Sequence, residues 1–335
     1  MSTISFGDMA ASIRNMRITT QTKQDLDRYN YEVASGEKYD LSSSVSGDFS
    51  PLASIERSLR TLGSYDIAIQ EADLFATALQ SSFGSVSSHV AKLSSSLLTA
   101  STNADATSVS VAAKDARTRF DAVVSTLNAR IGDRALLSGA ATGKTALISA
   151  DDMMSELMTA VAGATTVADV ETIVDDWFMS SGGGYETTAY QGSANPLSPF
   201  SLGENEKVKL EITAQNDSIR ETLMGLAVAS LVDEGVFEGD VGAQASLLRS
   251  AGETLMGAQA GLADLQAQVG SIEARIEEAN LSNSAMTYSY ELAKSEIISA
   301  DPYESASMLT QTETQLQLIY TLTARMSQLS LADYI

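Results

Sequence analysis

Gly143-Lys144-Thr145, within SGAATGKTALI at 138–148, has the residue types that end a phosphate-binding loop. Such a loop needs four residues between its first glycine and the GKT, with a strand before it and a helix after it. Backbone N–H groups and a helix N-terminus then converge on the phosphates. Here only three residues separate Gly139 from Gly143, and Ser138 stands where the first glycine belongs. The run before it, DARTRFDAVVSTLNARIGDRALL, repeats at helical spacing, where a buried strand is required. The stretch reads as a Gly-rich exit from a long helix, and a nucleotide-binding enzyme is the disfavoured alternative.

The remaining chemistry-bearing residues are sparse. Asp151-Asp152 and Asp175-Asp176 could hold a metal or share a proton as carboxylate pairs. Adjacent helical residues do not face one point, however, and acids where a helix begins complement its dipole. There is no cysteine and one histidine, His89 in SSFGSVSSHVAKL, expected to be an exposed helical residue. Disulfides, thiolate nucleophiles and Cys- or multi-His metal sites are thereby excluded within one chain. Trp177 and Phe178 follow Ile173 and Val174 at helical spacing and read as core. The expectation is no enzyme, no cofactor and no catalytic or metal site.

Composition points the same way. Over 335 residues, 21 Lys and Arg against 43 Asp and Glu leave a net charge of −22. That charge opposes binding to nucleic acid or to an anionic membrane surface. Hydrophobic residues make up 44%, aromatics only 6%, and there are four prolines, a composition that suits long helices. No run of about 18 apolar residues would insert into a membrane. MSTISFGDMAASIRNMR has no apolar core of signal-peptide length, so any export is expected to proceed without a cleaved signal.

The elements that would position function are helical. From Leu255, steps of three and four give Leu255, Ala258, Leu262, Leu265, Val269, Ile272, Ile276, Ala279, Asn283, Met286, Tyr290, Ala293, Ile297 and Ala300, of which thirteen of fourteen are apolar or aromatic. A seam with a 3.5-residue period marks a coiled coil or a long bundle helix. Asn283 either fixes register or lies where the seam meets solvent. Asp301-Pro302-Tyr303-Glu304 then opens a second helix with an N-cap, a proline at N1 and an acid at N3. Its apolar positions include Leu309, Leu316, Ile319, Leu322, Met326 and Leu329, with Leu331, Tyr334 and Ile335 at the end. That helix either folds back on its own chain or packs on a neighbour.

At the other end, 3–34 reads as a helix with Met9, Ile13 and Met16 on one stripe, closed by Gly36. Ser50-Pro51 opens another. Its stripe carries Ile55, Leu59 and Leu62, continues at Leu79, Phe83, Val86, Val90, Leu93 and Leu97, and is interrupted or shifted near Asp66 and Asp73. A third helix is expected over about 108–137. Residues 139–238 differ in character: short amphipathic helices, the loop-like GGGYETTAYQGSANPLSPFSLGENE, and a strand in EKVKLEITA with Val208, Leu210 and Ile212 on one face. The predicted fold is mainly α: an elongated antiparallel helical bundle or coiled-coil rod, with a small inserted α+β domain and terminal assembly helices. The segments are an N-terminal assembly helix (1–45), the first rod part (46–138), the insertion (139–238), the long C-terminal rod helix (239–300) and a C-terminal assembly helix (301–335).

Several stretches, in this order, resemble the flagellin superfamily. RNMRITTQTKQDLDRYNYEVASGEKYD is similar to that family's first helix, which ends in an STG-K-R type turn. The usual Ser-Asp-Asp-Pro is here SVSGDFSPLAS, retaining Pro51. NARIGDRALLSGAATGKTALI resembles the GRYLFSGYKTDT segment of the hook–filament junction members, with Ser138 and Gly139 on its Ser-Gly. YQGS at 190–193 with LGENEKVKLEI resembles a family hairpin, and MSQLSLADYI resembles their SLLDYL ending. The resemblance implies a structural protein of the bacterial flagellum. It would be extracellular and exported by the type III route, with an export chaperone possible. It would form a homo-oligomeric ring at the hook–filament junction between flagellin and another hook-associated protein. A filament flagellin is the alternative, decided by self-polymerisation, and a coiled-coil stalk would require a membrane segment or signal. Met9, Ile13, Met16, Leu309, Leu316, Ile319, Leu322, Met326, Leu329, Leu331 and Tyr334 would form the assembly interface. Leu262, Leu265, Val269, Ile272 and Ile276 would form the rod seam.

Overall fold

The computed structural model describes residues 6–332, and the chain is predominantly α-helical with two small antiparallel sheets. The elements in order are α1 (Phe6–Ser35), α2 (Leu41–Ser44), α3 (Ser50–Asn103), α4 (Ala106–Leu127), β1 (Arg130–Ile131), β2 (Arg134–Ala135), α5 (Ala150–Val161), α6 (Val167–Met179), a π-helical turn (Tyr185–Ala189), β3 (Phe200–Ser201), β4 (Lys207–Val208), α7 (Asp217–Asp233), α8 (Val241–Ile298) and α9 (Pro302–Ala332). They divide into two compact units: one of Met1–Leu62 with Ser284–Ile335, the other Gly63–Asn283.

The larger unit is organised by apolar stripes at helical spacing. On α3, Ile69, Ala72, Phe75, Ala76, Leu79, Phe83, Val86, Val90, Leu93 and Leu97 are all buried. Near Asp66 and Asp73 the stripe is shifted and not interrupted, carried from Leu62 through Ile69, Ala72, Phe75 and Ala76 to Leu79. Both acids lie off the stripe, and Asp66 accepts a hydrogen bond from Gln70 Nε2 at 2.8 Å. On α8, Leu255, Ala258, Leu262, Leu265, Val269 and Ile276 are buried. The two helices approach where a glycine leaves room: a Cβ on Gly252 would lie 2.9 Å from Leu98 Cγ. Residues of the 139–238 section, among them Met153, Leu157, Phe178, Tyr185 and Leu226, share this one core with α3, α4 and α8.

Helix α4 ends at Leu127, ten residues before the expected 137. The stop is made by Asn128. Its backbone N–H closes the last turn on the Val124 carbonyl at 3.0 Å, and its side chain donates to the Leu147 carbonyl at 3.1 Å and accepts from the Leu147 N–H at 2.8 Å, tying the later loop to the helix end. A hairpin of β1 and β2 follows, with Ile131 opposite Arg134. The expected strand in EKVKLEITA is confined to Lys207–Val208, opposite Ser201 and Phe200. Val208 and Leu210 are buried as the alternation requires, and Ile212 only partly so. Tyr185, in the stretch read as loop, is fully buried and donates its hydroxyl to the Ala214 carbonyl at 2.5 Å. Burial pushes that hydroxyl's pKa well up.

The GKT turn has no phosphate cradle. Gly143, Lys144 and Thr145 are exposed, and the next helix, α5, begins only at Ala150, capped by Ser149. Asp151 and Asp152 lie in its first turn, and Asp151 pairs with Arg117. Gly139 holds φ at +59°, and a Cβ there would fall 2.5 Å from the Asn195 carbonyl oxygen, so only glycine fits. His89 is half-buried, with Arg119 Nη1 3.4 Å from its Nδ1, and is therefore not the exposed residue expected.

Candidate assembly surface

The smaller unit pairs α1 with α9, and the two helices use an unusual seam. On α1 the shielded positions recur as Asn15, Thr19, Thr22, Leu26, Tyr29 and Glu32, a helical stripe that is mostly polar. On α9 the corresponding stripe is Ser305, Leu309, Thr312, Leu316 and Ile319, with Ser305 and Thr312 the most buried. The threonine hydroxyls of the seam are satisfied within their own helices. Thr19 donates to the Asn15 carbonyl, Thr22 to Ile18 and Thr312 to Met308, at 2.8, 2.9 and 2.7 Å. Such back-bonding lets a polar seam close without orphaned donors, but it contributes little apolar burial.

Large apolar side chains point the other way. Met9, Ile13 and Met16 are 53%, 57% and 69% exposed. On α9, Leu322 is 57% exposed, as are Leu318 and Tyr320 to a similar degree. The sequence-derived α9 residues thus fall on two faces. Leu309, Leu316 and Ile319 are half-buried in the α1–α9 pair, whereas Leu322 is outward. The side chains of Met326, Leu329 and Leu331, and Tyr334 altogether, lie outside the described residues. Of the seam residues on α8, Leu262, Leu265, Val269 and Ile276 are buried and Ile272 is half-buried. Burial of that seam ends at Asn283; Met286 and Tyr290 are exposed.

The two connectors of this unit are tied together. Gly36, at φ +73°, ends α1 with its N–H on the Glu32 carbonyl at 2.9 Å. Beyond it, Glu37 and Ser299 form an antiparallel bridge. Lys38 N donates to the Ile298 carbonyl at 2.8 Å and Ala300 N to the Gly36 carbonyl at 2.9 Å. Lys38 Nζ reaches the Ile297 carbonyl at 3.0 Å. Asp301 then caps α9, its Oδ1 accepting from Tyr303 N and Glu304 N at 2.8 and 3.0 Å. Glu32 holds the corner. Its carboxylate accepts from Arg28 Nε at 3.0 Å, Tyr39 N at 3.3 Å and Ser305 Oγ at 3.1 Å. Burial alone would raise its pKa, but the bonds from Arg28, Tyr39 and Ser305 outweigh it and hold the carboxyl below its ordinary value. Sequence reasoning singled out Gly36 and Asp301 but not Glu32, Lys38 or Ser305. Glu32 and Ser305 are 273 residues apart, and only Arg28 at i−4 signals Glu32 locally.

Among the described residues no group of carboxylates or histidines is placed to hold a metal ion, and no helix is long and apolar enough to cross a membrane. What the site offers is two helices joined through a mixed seam whose most buried residues are polar, with Met9, Ile13, Met16 and Leu322 turned outward. Residues 253–335, which include all of α9, match the family model of the bacterial flagellin C-terminal helical region. The C-terminal region is flagellin-like. That family is structural and non-enzymatic. A solved structure assigned as a flagellar hook-associated protein from Vibrio parahaemolyticus is similar at 14% identity and a TM-score of 0.40, over 71% of this chain and 95% of that one. No curated protein matches the chain in sequence.

Proposed function

We propose that this protein is a structural subunit of the bacterial flagellum, and that it forms the junction between hook and filament. The observation that carries this reading is the flagellin-like region at 253–335, ending in a helix whose partner, α1, keeps Met9, Ile13 and Met16 exposed. Copies arranged in a ring would bury these residues on one another, on flagellin and on another hook-associated protein. Each such side chain taken from water contributes about 1.5–3 kcal/mol. Export would use the flagellar type III route without a cleaved signal, and a chaperone would cover the outward stripe before assembly.

A strain lacking the gene tests this directly by electron microscopy and motility. The expected result is hooks without filaments, with flagellin released into the medium. Normal hooks and filaments would overturn the junction role. The second reading, a filament flagellin, rests on the same family match. It requires the purified protein to polymerise into long filaments by itself and to be the most abundant flagellar component.

A further inference from the structure

The exposed stripe carries a chemical vulnerability. The chain has 12 methionines and no cysteine, so thioethers are its only oxidisable sulfur. Their exposure is uneven. Met153 and Met154 are buried at 0% and 2% in the larger unit, whereas Met9, Met16, Met286 and Met308, all in the smaller unit, are exposed, Met16 most of all at 69%. Met9, Ile13 and Met16 are four and three residues apart and form one continuous outward strip of α1. In the larger unit Met256 is 59% exposed, comparably accessible but outside that strip.

We infer that Met9 and Met16 are modification sites for peroxides and that their oxidation blocks incorporation of the free subunit. The inference rests on the assembly role proposed above. In the step, a thioether sulfur attacks one peroxide oxygen. An S–O bond forms as the O–O bond breaks, sulfur loses two electrons, and the peroxide leaves as water. The product sulfoxide is polar and strongly hydrogen-bonding, so it resists burial in an apolar contact where a thioether packs readily. With no thiol in the chain to consume the oxidant, the exposed thioethers, those of the strip among them, are open to it. Once incorporated, the same methionines are covered and protected. The device therefore acts on subunits in transit and spares the finished structure, and methionine sulfoxide reductases reverse it.

The test uses the full chain, treated with hydrogen peroxide, and purified subunit added back to cells of the deletion strain. Peptide mass spectrometry should find sulfoxide at the exposed Met9, Met16, Met256, Met286 and Met308 while Met153 and Met154 remain intact. Oxidised subunit should restore at least ~10-fold fewer filaments, the loss that a contact weakened by about 1.4 kcal/mol gives. Reductase treatment should recover them. For a Met9→Leu/Met16→Leu double variant the readout is the ratio of filaments restored with and without peroxide, each against its own untreated subunit. That ratio should rise to about one, whereas Met256→Leu should keep the parent's loss. Full restoration by subunit oxidised at both Met9 and Met16, or equal sensitivity of the double variant, would overturn the inference alone. Failure of untreated subunit to restore any filament would remove the assembly role, and this inference with it.

Discussion

The two units use the same helical repeat for opposite ends. In the larger one, stripes at 3.5-residue spacing turn inward, and Phe83, Leu93, Leu97, Phe120 and Leu262 lose all contact with solvent. In the smaller one, the inward positions are Thr22, Glu32, Ser305 and Thr312, while Ile13, Met16 and Leu322 face out. A helix pair whose most buried residues are polar, and many of whose large apolar residues are exposed, gains less from pairing than an apolar seam would give. The difference separates a region that stores stability within one chain from one that holds contact area in reserve.

The largest expected effect breaks the first half of that comparison. Phe120→Ala, in the packed core, should cost about 3–5 kcal/mol in denaturant unfolding of the intact chain. Next come two aspartates of opposite placement. Ile13→Asp should leave unfolding within roughly 0.5 kcal/mol of the parent while abolishing filament restoration, because the side chain is outward. Leu316→Asp should abolish restoration too, but also loosen the α1–α9 pair, seen as faster amide exchange along both helices. If Ile13→Asp restored filaments normally, the outward stripe would not be the interface. Smaller again, Asp301→Ala removes a cap worth about 1 kcal/mol and should speed exchange at the Tyr303 and Glu304 amides without altering the larger unit.

The smallest effect concerns Glu32 and depends on pH. Its carboxyl has a lower pKa folded than unfolded. The stabilisation is therefore complete at neutral pH, above the unfolded glutamate's value, and is lost as the pH falls to the lowered folded value. Exchange at the Tyr39 amide should rise on acidification in the parent, and Glu32→Gln should flatten that dependence. An unchanged profile in the variant would mean that another group governs the corner.

Much of this was legible in the sequence because helices advertise themselves over long windows. The seam from Leu255 to Ala279, the cap at Asp301, the Gly36 stop and the failure of GKT to make a phosphate loop all follow from local spacing. The misses have a common cause. Asn128 ends α4 by bonding Leu147, Tyr185 is buried because its hydroxyl finds Ala214, and Glu32 matters because of Ser305. Each partner is too distant in sequence for periodicity to reveal it. The α9 stripe shows a subtler limit. Periodicity picked out Leu309, Leu316, Ile319 and Leu322 together, but only a partner helix decides which of them are shielded, and α1 shields the first three while leaving Leu322 exposed.

The tie between the connectors has a mechanical meaning. Residues 36–38 and 298–300 are separate passages of the chain, yet hydrogen bonds run between them in both directions. Neither can be drawn straight without rupturing the bonds that hold the other. A pull on either passage is thus shared by both and resisted until several bonds fail together. In a machine that turns, such a coupling would let twist pass through two slender threads as if through one stiffer cord.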